Sequence, residues 1–204
     1  MSFRPLYSPS AEHREHFARE MARDGMDVVA VAAPKAVVAG ADIVCCATTA
    51  MTPVFNGDWL EDGQVVVSIA NSDVTNKRSE VDRRTYERAS AVIINDWESV
   101  IGNDQTELLE PLEKGVIRKE QICELGDLLI GKARLPRPVD GMPQGIVYYK
   151  NNSGMAIQFA AAGGILYRKA MAEGNNKISS RPNGWEATCP PITRPAFAFA
   201  VTEN

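Results

Sequence analysis

The 204-residue sequence contains no Gly-x-Gly anywhere among its 15 glycines. That excludes a self-contained glycine-rich phosphate loop, in which closely spaced glycines bring backbone amides against a pyrophosphate. No apolar run approaches the length of a bilayer span. Cations are not in surplus: 22 Lys and Arg against 26 Asp and Glu give a formal charge of −4. Nothing electrostatic therefore points to nucleic acid or to a membrane as partner. The opening MSFRPLYSPS lacks a signal-peptide apolar core, so the expected compartment is cytoplasmic. Cysteine is scarce, at four residues. Cys45 and Cys46 adjoin in an apolar run, whereas Cys123 and Cys189 stand alone. No pair has zinc-ligand spacing, and buried reduced thiols are expected in place of a disulfide or metal frame. The two histidines, His13 and His16, lie among Glu12, Glu15 and Glu20. They read as a solvated helix face, and no metal is expected.

What is present is a normal core complement, 45% apolar residues, enough for one large domain or a domain with an appendage. Strands are predicted at residues 3–8, 26–32, 41–47, 64–70 and 91–95, where β-branched runs concentrate. Helices are predicted at residues 11–23, capped by Ser10, at residues 34–40 between Pro34 and Gly40, and at residues 80–89. This alternation argues for βαβ units with right-handed crossovers, hence a parallel sheet. After residue 100 the character changes. Residues 104–114 read as a helix, residues 131–145 as a loop, and residues 146–150 (IVYYK) as a strand. Asn151-Asn152-Ser153-Gly154 leads into an apolar helix, residues 155–172, with Ala160-Ala161-Ala162-Gly163-Gly164 at its middle. So small a centre suits a second domain or a subunit interface. Residues 174–204 turn to Asn, Pro, Ser and Thr and read as an irregular, partly disordered tail.

The segment ADIVCCATTAMTPVFNGDWLEDGQVVVSIANSDVTNKRSEVD, residues 41–82, carries most of the functional signal. Two apolar strands each release polar groups at the carboxyl end, where ligands of open α/β sheets bind. Thr48 and Thr49 leave the first strand. They fit either small hydroxyl contacts to a dinucleotide or a β-prone turn. The strand predicted at residues 3–8 ends Tyr7-Ser8-Pro9-Ser10, with His13 and Arg14 one turn on. A ribose-binding acid is missing there and a cation is near, which leans toward a 2′-phosphate, NADP over NAD. Asp73 follows the second strand, beside Ser72 and four residues before Lys77. It reads as a general base toward an amine or amino acid, with Lys77 on the cofactor or the carboxylate. The other reading makes residues 71–76 a turn and Asp73 a helix cap.

Together with YSPSAEHREHFARE, Glu124-Leu125-Gly126-Asp127-Leu128 and YYKNNSGMAIQFAAAG, this segment resembles the ornithine cyclodeaminase and mu-crystallin family, over roughly residues 5 to 172. The resemblance implies a Rossmann-like parallel sheet lacking its first βα unit, plus a C-terminal apolar helix. Residues 1–145 would be a partial NAD(P)-binding domain. Residues 146–173 would return toward a substrate and dimerisation domain, and residues 174–204 would be the tail. It further implies redox chemistry, with NAD or NADP, on a small amino-acid or imine substrate. That chemistry is ornithine to proline with ammonia release, ketimine or pyrroline-carboxylate reduction, or amino-acid dehydrogenation. Asp73 falls on the family's acid–base position. Ser8, Ser10, Arg14, Thr48, Thr49, Lys77 and Ser153 form the expected cofactor-contacting set. Family members carry a Gly-x-Gly-x-Gln loop and a substrate domain upstream, and often Asp where Phe159 stands. The expectation is a truncated chain, or one whose missing half another polypeptide supplies, with weak cofactor affinity alone; as partner, a homodimer mate or the missing N-terminal domain is expected. The alternatives are a non-catalytic binding protein or an inactive remnant.

Overall fold

The structure, a computed structural model, describes residues 4–152, 156–173 and 197–201. The chain divides into two compact units, Met1–Ser153 with Pro195–Asn204, and Gly154–Arg194. In the first unit the strands are β1 (Arg4–Tyr7), β2 (Val28–Ala30), β3 (Ile43–Ala47), β4 (Val65–Ser68), β5 (Ala89–Ile94), β6 (Ile122–Glu124), β7 (Ile146–Lys150) and β8 (Phe197–Val201). The helices are α1 (Ala11–Arg23), α2 (Lys35–Val38), α3 (Arg83–Arg88), α4 (Trp97–Gly102), α5 (Thr106–Glu113) and α6 (Leu125–Leu129). One eight-stranded sheet results, in the order β2-β1-β8-β3-β4-β7-β5-β6. The pairings among β1 to β7 are parallel; only β8 runs antiparallel, against β1 on one side and β3 on the other.

The core follows from register. Val44, Val66, Tyr148 and Val92 lie side by side across four strands, and Cys46, Ser68, Lys150 and Ile94 form the next row. Each is at most 2% exposed. Val37 and Val38 of α2, Tyr86 of α3 and Leu108 of α5 complete this cluster. Tyr86 meets Tyr148 edge to face with ring centroids 5.2 Å apart. The opposite face is different: Ile43, Cys45, Val65, Val67 and Val147 are only half-buried, and α1 contributes no buried residue. Crossover handedness accounts for the asymmetry. The β1–α1–β2 connection crosses the sheet in one direction, whereas β2–α2–β3 and β4–α3–β5 cross in the other. Right-handed connections then put α1 on one face and α2 and α3 on the other.

The predicted strands and helices form, with local corrections. Ser10 caps α1, its side chain accepting from the His13 N–H. Helix α3 starts at Arg83, later than the predicted residue 80, because the Asp82 side chain accepts from the Thr85 N–H and sets the cap there. The short elements α4 and β6 were not anticipated; six- and three-residue segments carry too little periodicity to register. The strand IVYYK was expected to lead away from the nucleotide-binding part, but β7 lies inside the sheet between β4 and β5. The tail reading is also corrected in part. Phe197–Val201, an all-apolar run, form a strand at the centre of the sheet, pairing with β1 on one side and β3 on the other. Residues 174–196 and 202–204 lie outside the described residues. In the second unit, α7 (Ala156–Ala172) exposes Phe159, Ile165 and Leu166, between 60% and 72% each.

Candidate active site at the carboxyl edge of the sheet

Because β3 and β4 are parallel neighbours, the segments that follow them emerge on one edge, and Thr48 and Asp73 share it. Buried Glu80 ties the two exits together. Its Oε1 accepts the Thr48 N–H at 2.6 Å; its Oε2 accepts the Ser68 hydroxyl at 2.9 Å and the Ile69 and Ala70 amides at 2.9 and 2.8 Å. These amides leave strand ends with few ladder partners, and a carboxylate is an acceptor able to serve several at once.

A second buried charge holds the same edge. Lys150, the last residue of β7, is fully buried. Its Nζ donates to the Ala70 carbonyl, to Asn71 Oδ1 at 2.7 Å, and pairs with Glu107 Oε1 at 3.1 Å. Burial pushes the ammonium pKa down, and the Glu107 carboxylate opposes that shift. Glu107 Oε1 also accepts the Ser72 N–H at 2.9 Å, so the pair grips the loop after β4 from two sides. Ser72 closes that loop, exchanging hydrogen bonds with the backbone of Arg78 at 3.0 and 2.8 Å.

The loop presents Asp73 to solvent. Its Oδ1 accepts from the Thr75 N–H, the Thr75 hydroxyl and the Asn76 N–H at 2.8, 2.7 and 2.7 Å, and the Asn76 amide reaches both carboxylate oxygens. Those donors, the Thr75 hydroxyl first, hold the carboxyl well below the usual carboxylate range. Asp73 rests as an anion. It caps a local turn, not a regular helix, because residues 71–79 contain none. Lys77 turns aside from Asp73: its Nζ donates to Asp104 Oδ2 at 2.7 Å and to the Asp104 carbonyl at 3.0 Å.

The remaining predicted residues fall as follows. Thr48 Oγ1 accepts the Ala50 N–H at 3.1 Å, and Thr49 is exposed. Ser8 is buried, and Ser10 is engaged as the α1 cap. The Arg14 guanidinium donates to the Ser8 carbonyl at 3.0 Å and lies over the Tyr7 ring, 5.9 Å from its centroid. Ser153 lies outside the described residues. His16 pairs with Glu20 at 3.5 Å on an exposed face. Cys45 and Cys46 are free thiols whose pKa values burial raises, with Glu80 adding to the effect.

A cleft of about 300 Å³ opens on this edge, lined by Tyr7, Pro9, Pro34, Thr48, Thr52 and Val54 among others. It joins the exits of β1 and β3, the point where a doubly wound sheet takes a dinucleotide. Of the expected cofactor-contacting residues, Thr48 lines this cleft, and Ser8, Ser10, Arg14 and Thr49 are not among its lining residues. A second cleft, of about 370 Å³, lies between the Lys77–Arg83 segment and α5, reaching Tyr86, Glu107 and Lys114.

The sequence reading missed Glu80, Lys150 and Glu107. A glutamate in a charged stretch reads as solvated surface. The lysine ending IVYYK was the one available signal, a cation directly after apolar residues on a strand flanked by strands.

Comparison with known proteins agrees with this geometry. Residues 5–174 match the family model described as the ornithine cyclodeaminase/mu-crystallin family. A curated Δ1-pyrroline-2-carboxylate reductase of Colwellia psychrerythraea is 37% identical over 92 residues, 45% of this chain and 28% of that protein. The solved Δ1-pyrroline-2-carboxylate reductase of Thermococcus litoralis, in complex with NADH and L-proline, superposes with a TM-score of 0.68 at 25% identity. The probable ornithine cyclodeaminase of Bordetella pertussis gives 0.60 at 31% identity. Both alignments cover 81% of this chain and 49% of the other. The chain thus spans about half the length of those solved relatives, and less of the curated one. With a matching family model over most of its length and a Rossmann-like sheet beneath it, the chain belongs to the ornithine cyclodeaminase/mu-crystallin family.

Proposed function

We propose that this chain supplies the nucleotide-side half of an enzyme that moves a hydride between a nicotinamide cofactor and the carbon–nitrogen bond of an amino acid or cyclic imine. The reaction is reduction of a pyrroline-carboxylate or ketimine, or the deaminating cyclisation of ornithine to proline. One observation carries the reading: the cleft between the exits of β1 and β3 shares its edge with the Asp73 loop. The relatives act on, or are solved with, ligands of this kind.

When bound, the nicotinamide supplies or accepts the hydride. Thr48 and Thr49 would hold its nicotinamide side, and Ser8, Ser10 and Arg14 its adenosine side. Arg14, after a strand that ends without an acid, favours NADP. The chain's own chemistry centres on Asp73. An anion fixed by Thr75 and Asn76 stabilises the positive charge of a protonated imine. To take a proton itself, Asp73 must first give up some of those donors, because each of them holds its pKa down. Lys77 is kept from neutralising it by Asp104.

Amide spectra of the chain during titration with 2′,5′-ADP, 5′-AMP and nicotinamide mononucleotide test this. The first two should shift residues 8–14, with 2′,5′-ADP the stronger, and the mononucleotide should shift Thr48 and Thr49. Shifts confined to the second cleft, around Lys77 and Lys114, would overturn the assignment.

A further inference from the structure

The second cleft contains a positive charge that no acid balances. Its volume of about 370 Å³ falls within the roughly 300–1,000 Å³ of small-molecule sites, and its lining shares only Pro53 with that of the first cleft. Pro53, Val81, Tyr86, Pro111 and Val116 give it an apolar wall. The Tyr86 hydroxyl is already engaged, donating to the Glu107 carbonyl, so this residue contributes apolar surface.

The charged groups around the wall have partners, with one exception. Lys77 meets Asp104 at 2.7 Å, Arg83 meets Glu87 at 2.8 Å, and Lys114 pairs with Glu110. Glu107 pairs with buried Lys150 at 3.1 Å. Asp82 accepts from the Gly57 N–H at 2.8 Å and from the Thr85 N–H and hydroxyl, both at 2.9 Å. Arg78 is half-buried and has no carboxylate partner among the described residues. Its guanidinium makes one hydrogen bond, from Nη1 to the Asn71 carbonyl at 3.3 Å, longer than an ordinary N–H···O bond. The remaining N–H groups of the fork find no acceptor among the described residues.

A guanidinium partly withdrawn from water is costly to leave unpaired, and its planar fork fits a carboxylate through two parallel bonds. One uncompensated cation beside an apolar wall selects a monoanion with an apolar body. A phosphate dianion gains less, because no second cation of the described lining is free of an acid partner. We propose that this cleft binds a small monocarboxylate, its carboxylate on Arg78 and its apolar or aromatic body against Val81, Tyr86 and Val116. The site is separate from the first cleft and its ligand contains no nucleotide, so it stands or falls independently of the redox assignment.

The probe is 3-phenylpropionate, with 3-phenylpropionamide as a neutral counterpart of the same shape. In an NMR titration of the full chain, the acid should shift the Arg78 Nε–H signal and the amides of Val81 and Val116. The neutral compound should bind about tenfold or more weakly, the loss expected when a charge-assisted pair is removed. Arg78→Gln should lower affinity for the acid to that for the neutral compound, and leave the latter unchanged. This substitution spares the loop before it, since the Ser72 hydrogen bonds run to the backbone of residue 78. Equal binding of the two compounds by the parent chain would overturn the proposal, however the variant folds. Undiminished affinity of Arg78→Gln for the acid, or shifts confined to residues 8–14 and 48–49, would overturn it as well.

Discussion

Glu80 offers the sharpest test of how the site edge is built. Its carboxylate serves Thr48 N–H, Ser68 Oγ–H, Ile69 N–H and Ala70 N–H, and it is 2% exposed. Replacement by alanine removes all four acceptor contacts. Ile69 keeps a partner, since its amide also donates to the Cys46 carbonyl at 3.1 Å, and the Ser68 hydroxyl can rotate. Thr48 and Ala70 are left without acceptors, each orphan costing about 1–3 kcal/mol. We expect Glu80→Ala to lower unfolding stability by about 4 kcal/mol. Glu80→Gln separates the parts. Its single carbonyl oxygen can keep the three donors at the Oε2 position, leaving the amide nitrogen facing the Thr48 N–H. The loss should then be about 2 kcal/mol, with hydrogen-exchange protection falling at Thr48 and persisting at Ala70. Urea denaturation with an unchanged m-value measures the first quantity and amide exchange the second. A Glu80→Ala midpoint equal to that of the parent would refute the idea that this carboxylate joins the two strand exits.

Three further outcomes are expected. Lys150→Met strands the buried Glu107 carboxylate and should cost about 3–5 kcal/mol in urea, much of it recovered in the double variant Lys150→Met/Glu107→Gln. Cys46 keeps its proton in the folded state above the pH at which an unfolded thiol ionises, about 8.5, so stability present at neutral pH falls as pH climbs past that point. Lys150 acts with the opposite sign, its depressed folded pKa adding stability toward about pH 10.4. Comparing Cys46→Ala with the parent between pH 8 and 10 cancels the lysine, and the variant should show the flatter decline. Calorimetric titration of the chain alone with NADPH should fail to saturate at micromolar cofactor, since no Gly-x-Gly turn is present to cradle the pyrophosphate; tight binding would mean that other amides take that role.

The parallel sheet was legible because each of its longer strands is a β-branched run, and because polar groups cluster where those runs stop. Val65-Val66-Val67 followed by Ile69-Ala70-Asn71-Ser72-Asp73 marks both a strand and its functional end. The clustering of Thr48 and Asp73 on one edge follows from parallel pairing alone. What could not be read is whatever depends on partners distant in sequence. Lys150 is buried only because Glu107 and Asn71 reach it from elements 43 and 79 residues away. Lys77 is diverted from Asp73 by Asp104, a residue with a positive φ of 47° at a turn no pattern announces. The half-buried α1 face was illegible for a related reason: an apolar strand shows that both its faces can be buried, not that both are.

The placement of the charges bears on how much of the site is already formed. Glu80 and the Lys150–Glu107 pair lie beneath the edge, and their hydrogen bonds run to the backbone of residues 48, 69, 70 and 72. They fix where the strand exits stand. Asp73, one residue beyond the last anchored amide, is held only by its own loop, through Thr75 and Asn76. The edge is thus anchored in its backbone and adjustable at the Asp73 carboxylate. That arrangement suits a site whose substrate arrives from a second body. The anchored amides preserve the cleft, while the Asx-type turn can exchange Thr75 and Asn76 for a substrate nitrogen at the cost of a few exposed hydrogen bonds, worth about 1 kcal/mol each. On the proposed function, differences in substrate would reside in residues 73–77, not in the buried ionic frame.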